Sequence, residues 1–242
     1  MSANSLNDEA MAQPTPPDRS PQRLLLLGHF GSGKTEVAIQ QALAMADGSE
    51  RPLLLDLDFI TPYYRSRDVA PELAALGVEV VAPEGELSRS DLPVVTARAV
   101  QALSTHPGRV VADVGGDEGA RVIGSLAGRL APGSYQAWMV INPLRPGTGT
   151  PQQVADYAHW LERLARIRFT GVVNNANAGP LTQPHHVRAG LVQVQAAADL
   201  LGLPIVFSAA RAEIIPQLPD LEIRSLSLKM RPPWELPALV GQ

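Results

Sequence analysis

Short apolar runs recur along this chain, separated by longer segments of helical period. The runs at 23–27, 52–56, 78–81, 109–113, 135–141, 170–174 and 204–208 are apolar nearly throughout. Strands covered on both faces read this way, because neither side of the pleat meets water. Between them, 34–46, 69–76, 92–104, 120–130, 151–166 and 184–201 repeat apolar positions every three to four residues, which predicts helices. The alternation predicts an α/β fold: a mostly parallel sheet of about seven strands with helices on both faces. Residues 1–21 are polar, Pro-rich and aperiodic, and are expected to be a disordered tail. One domain is expected over 22–210. Residues 211–242 are a Pro-rich extension expected to dock on it, with a short strand near 226–230 and Trp234 in the docked tail.

Composition narrows the chemistry. The chain has 242 residues, 45% apolar and 18% charged, with a formal net charge of −4. That is enough apolar material for a core, and no basic excess points to nucleic acid. There are no cysteines, so disulfides, thiolate zinc sites, cysteine nucleophiles and iron–sulfur clusters are excluded. No apolar run approaches the roughly 20 residues that span a bilayer, and the first 22 residues do not read as a secretory signal. A cytoplasmic enzyme or switch protein is the expectation. Of the 20 basic residues only Lys34 and Lys229 are lysines, so a lysine at a motif position stands out.

Lys34 is at such a position. Gly28-His29-Phe30-Gly31-Ser32-Gly33-Lys34-Thr35 matches G-x-x-x-x-G-K-[ST], with the apolar strand before it and an amphipathic segment after it. Glycines let backbone N–H groups turn inward around phosphate oxygens, and the helix N-terminus adds partial positive charge. Lys34 is expected to reach the outer phosphates, and the Thr35 hydroxyl to ligate Mg²⁺. Such a loop needs carboxylates for the metal and the attacking water. Two acidic segments end later strands, where open α/β sheets bind ligands: Asp56 with Asp58, and Asp113 with Asp117. Asp113 ends an apolar strand and is expected to hold Mg²⁺ through water. Asp58 joins Thr35 and Asp113 on the metal side. Asp58 or Asp117 would orient the water, with Lys34 as the third catalytic group.

With these motifs the chain resembles the MinD/ParA/nitrogenase-iron-protein branch of P-loop NTPases, the SIMIBI class, over roughly residues 23–208. The resemblance implies a switch I carboxylate at Asp58 and a switch II pair at Asp113 and Asp117. The chain is also similar to an uncharacterised bacterial group of such ATPases sharing GxFGSGKTE, DLDxxxPYxRSR and NNxN. These stand here as Phe30 to Glu36, Asp56 to Arg67 and Asn174 to Asn177. That likeness adds Phe30 and Glu36 to Gly28, Gly31, Ser32, Gly33, Lys34 and Thr35 as cofactor-binding residues. The branch usually carries a lysine at the second loop position, crossing to the nucleotide of a second copy. His29 holds that position here, and Arg65, Arg67 and Arg121 are the cations on the switch segments.

No N-K-x-D is present for guanine. The strand end with Asn175, or alternatively Asn174, resembles the place where ATPases of the branch set an Asn against adenine. The expectation is ATP with Mg²⁺, in a nucleotide-driven switch acting on a protein partner or on itself through 58–67 (Asp58 to Arg67) and 113–121 (Asp113 to Arg121). No membrane contact or iron–sulfur cluster is expected. Dethiobiotin synthetase and the cobyrinic acid amide synthases share this architecture, so an ATP-dependent small-molecule kinase or ligase is the alternative. A nucleotide sensor without turnover is a third. His185 and His186 read as surface residues, and Trp160 with Leu164 as core packing.

Overall fold

The computed structural model describes residues 22–46, 48, 50–58, 66–82, 97–130 and 133–230. The expected tail 1–21, most of the aromatic and arginine-rich segment after Asp58 (Arg65 included), the 83–87 loop and Trp234 lie outside the described residues.

The elements alternate. They are β1 (Arg23–Leu27), α1 (Lys34–Met45), β2 (Leu53–Leu57), α2 (Ala70–Ala75), β3 (Glu79–Val81), α3 (Ala97–Ser104), β4 (Val110–Val114) and α4 (Gly116–Leu126). There follow β5 (Gln136–Ile141), α5 (Pro151–Ala165), β6 (Gly171–Asn174), α6 (Pro184–Leu201), β7 (Ile205–Arg211) and β8 (Ile223–Leu226). The strands form one sheet in the order β3-β2-β4-β1-β5-β6-β7-β8. All seven pairings are parallel. The α/β expectation holds, with eight strands rather than about seven. The last strand lies at 223–226, and residues 227–230 continue beyond it instead of forming it.

The leucine run of β1 shows why a central strand reads as uninterrupted apolar sequence. Leu25 and Leu27 point into the larger core, with residues of α3, α4, α5 and α6. Leu24 and Leu26 point into the other core, with residues of α1 and α2. Alternate side chains leave opposite faces of the pleat, and here both faces are covered.

Helix α4 starts earlier than expected, at Gly116 instead of 120, so Asp117 lies in its first turn and Arg121 within it. The start is possible because Gly116 takes a left-handed φ of 45° after an extended Gly115. Helices α4 and α5 cross closely. A Cβ placed on Gly124 would sit 2.1 Å from the Leu164 carbonyl oxygen. Gly124→Ala must therefore push the helices apart, and denaturant unfolding should show a loss of about 1–3 kcal/mol.

Candidate functional site

The sheet order decides which strand ends meet. β1 has β4 on one side and β5 on the other, so the chain direction around the sheet reverses there. Open α/β sheets bind ligands at the carboxyl ends beside such a point. The loop after β1, Asp58 after β2 and Asp113 near the end of β4 all fall at this place, since β4 lies between β1 and β2. Asp113 is registered with Leu26 on one side and with Asp56 on the other.

The loop 28–33 folds tightly, with the Ser32 N–H donating to the His29 carbonyl at 3.0 Å. Gly33 is the N-cap of α1 at φ 79°, and no side chain caps the helix. The first N–H groups of α1 thus lack a side-chain acceptor, the arrangement that receives anions. A Cβ on Gly33 would come within 2.4 Å of the Asn175 amide nitrogen, so only glycine fits both the angle and the space.

Lys34 is buried and its Nζ lies 3.3 Å from Asp58 Oδ2. Behind this pair, Asp113 is 0% exposed, and neither carboxylate oxygen has a hydrogen-bond partner. Burial raises Asp113 from an ordinary 3.8 to about 7; Lys34 opposes the rise, Asp56 adds to it, and the nearby Thr35 hydroxyl works against it. An orphaned buried carboxylate beside a threonine hydroxyl and a lysine fits a hydrated divalent cation. The Ser32 hydroxyl in the loop is also buried and unpartnered.

Asp56, whose place in this site the motif spacing did not define, is structural. Arg67 Nε donates to its Oδ2 at 2.9 Å and Nη2 to its Oδ1 at 3.3 Å. The same Nη2 donates to the Asp58 carbonyl at 2.9 Å, and the Asp58 N–H to Asp56 Oδ1 at 3.0 Å. Arg67, one of the cations on the switch segments, therefore ties the chain at Asp56 and Asp58 to its own position instead of standing free. Arg121 is half exposed, 3.9 Å from Glu118.

The remaining predicted residues have partners of their own. Gly28 and Gly31 lie in the loop; a Cβ on Gly28 would meet the Val140 carbonyl oxygen at 2.4 Å. Phe30 is 68% exposed at the loop tip. Glu36 accepts from the backbone N–H groups of Lys229 (3.0 Å) and Met230 (2.7 Å), fastening the end of the described chain to α1. Burial raises its pKa while those two N–H groups pull it back. Asn175 donates to the Ser32 carbonyl at 2.7 Å, bracing the phosphate loop. Asn174 is fully enclosed, its amide donating to Ser208 Oγ and its carbonyl oxygen accepting from the Ala176 N–H. Asp117 accepts from Tyr157 Oη at 3.1 Å and from Trp160 Nε1 at 2.9 Å. Trp160, expected in the core, is 38% exposed. His186 caps α6 through the Gln183 N–H, and no metal-ligand cluster occurs among the described residues.

The loop 142–149 was expected to line this face and support a bound group near the phosphates, but Arg145 itself was given no role. It lies in the loop after β5 and its Nε donates to the Gly31 carbonyl at 3.2 Å, a second brace on the phosphate loop. A long βα loop beside the motif carried the only sequence signal for it.

No protein-family model and no curated protein matches this chain. Solved structures do. FtsY from Mycoplasma mycoides superposes with a TM-score of 0.53 at 14% identity, over 79% of this chain and 60% of that one. The 54 kDa signal recognition particle protein from Aeropyrum pernix, solved with GDP, gives 0.50 at 22%, over 79% and 42%. FtsY from Thermotoga maritima gives 0.50 at 17%, over 80% and 63%. The likeness is one of fold: this chain shares the parallel α/β architecture of these three structures. The chain spans 42–63% of the length of these three relatives in structure. Among the described residues, no helix is long and apolar enough to cross a membrane.

The Asp113 environment makes a pH prediction. Its folded pKa is raised, so the folded state holds a proton that the unfolded state releases near 3.8. The stability it contributes is full below that value and is lost as pH rises toward about 7. The melting temperature of wild type minus that of Asp113→Asn, measured without nucleotide or metal, should fall between these limits. A flat difference contradicts the shift.

Proposed function

We propose that this chain is a Mg²⁺-dependent nucleoside triphosphate hydrolase, with ATP as its substrate, acting as a switch for a protein partner. One observation carries the reading: an uncapped helix start after a glycine loop, with the Lys34–Asp58 pair and the unpartnered Asp113 converging behind it. Lys34 and the α1 N–H groups hold the outer phosphates. Thr35 would hold Mg²⁺ directly, and Asp113 through water, with Asp58 beside them. The cation supplies charge neutralisation as the phosphoryl group leaves. Binding would draw Lys34 from Asp58 toward phosphate, with Asp58 placed to orient the attacking water. Asp117, bound here by Tyr157 and Trp160, would join the site only on leaving them.

ATP over GTP rests on the absence of N-K-x-D and on the Asn-rich end of β6. Asn175 now braces Ser32, so it would meet a base only by giving up that bond. A protein partner is supported by exposed apolar side chains about the site: Phe30 at 68% and, in the loop that touches Gly31, Leu144 at 43%. The signal recognition particle protein that shares the fold was solved with GDP, which supports a nucleotide as the ligand.

Phosphate release from ATP and GTP with Mg²⁺, for wild type and Lys34→Ala, is the test. Release from ATP that falls about 100-fold or more in the variant is expected, the scale for loss of one preorganised charge-stabilising donor. Equal release by both proteins overturns the assignment.

A further inference from the structure

Asp117 stands two residues beyond Gly115, whose backbone abuts Asp58: a Cβ there would lie 2.5 Å from Asp58 Cγ. Its carboxylate is nevertheless turned to the neighbouring helix. Each oxygen has its own donor on α5, Tyr157 Oη at 3.1 Å and Trp160 Nε1 at 2.9 Å. Positions 157 and 160 are one helical turn apart, so the pair forms a matched fork for one carboxylate. Two N–H or O–H donors on an ionised acceptor make a strong, directional hold. The Tyr157 hydroxyl is pushed up by burial and by the Asp117 charge, so it remains a donor. The hinge is present: Gly115 is extended and Gly116 left-handed, immediately before α4 begins.

The same tyrosine touches the phosphate loop. The His29 ring meets Tyr157 edge-on at 5.1 Å between centroids, and a Cβ on Gly147 would come within 3.1 Å of His29 Nε2. One aromatic side chain thus lies between the second residue of the phosphate loop and the switch II carboxylate.

We infer that Tyr157 and Trp160 are positioning residues that latch Asp117 outside the nucleotide site, and that a bound triphosphate, acting on the loop through His29 and Tyr157, opens the latch. This rests on the proposed hydrolase reading. In the resting state Asp117 is withheld and turnover is slow. Occupancy of the loop shifts His29, loosens Tyr157, and lets the first turn of α4 swing about Gly115–Gly116 toward Asp58. Trp160 loses its acceptor in that step.

The latch is tested with full-length protein carrying 5-fluorotryptophan, its three resonances assigned with Trp160→Phe. Nucleotide affinity is measured separately by calorimetry. A non-hydrolysable ATP analogue with Mg²⁺ should move the Trp160 resonance, while ADP should not. In parallel, Tyr157→Phe should keep affinity within about twofold and raise kcat roughly tenfold or more, the range one hydrogen bond to a charged acceptor can shift a two-state equilibrium. Asp117→Ala should lower kcat. Analogue binding with an unmoved Trp160 resonance overturns the latch and leaves the hydrolase reading standing. A fall in kcat for Tyr157→Phe also overturns it, because a purely structural contact behaves that way. Absence of any nucleotide binding removes both.

Discussion

A carboxylate buried without a hydrogen-bond donor is costly, and Asp113 is buried completely where β1, β2 and β4 run side by side. The fold tolerates it because Lys34 lies close enough to oppose the rise in its pKa. Lys34 is buried too, and its direct partner is Asp58. Two buried carboxyl groups thus lie about one ammonium, and burial shifts Asp113 toward its protonated form. Under the proposed function, a cation behind the loop and an anion in front of it would complete the charge balance.

The surrounding structure holds this charge arrangement in place. Arg67 neutralises Asp56, the third carboxylate of the cluster, and ties down the start of the segment that leaves β2. Asn175 from β6 and Arg145 from the loop after β5 each hold a carbonyl of the phosphate loop. Glu36 in the first turn of α1 clasps the backbone of residues 229–230. The glycine loop is therefore preorganised by neighbours on several sides, which lowers the entropy it would lose on holding a ligand.

Much of this could be read from sequence. Fully buried strands announce themselves as apolar runs, and the G-x-x-x-x-G-K-T spacing carries its own strand–loop–helix context, so the sheet and the loop were legible, and Lys34, Asp58 and Asp113 do lie together at the carboxyl ends of the strands. What sequence could not give were side-chain directions. Asp117 lies in a motif position, yet which way its carboxylate points depends on Tyr157 and Trp160, 40 and 43 residues away. Glu36 sits beside Thr35 in sequence, but a one-residue step on a helix turns a side chain by about 100°, and Glu36 accepts from residues nearly 200 positions distant. The eighth strand was misplaced because 223–226 (IRSL) has too little apolar content to signal a strand; it forms by adding to the β7 edge.

A site for a metal-bound nucleoside triphosphate at Asp113 and Lys34 would need the metal for tight binding. Calorimetric titration with a non-hydrolysable ATP analogue, in Mg²⁺ and in a chelator, tests it most directly. The account predicts binding at least about tenfold tighter with Mg²⁺, a gain lost in Asp113→Asn while chelator affinity is unchanged. Equal affinity with and without the metal in wild type, or no binding in either, would contradict it.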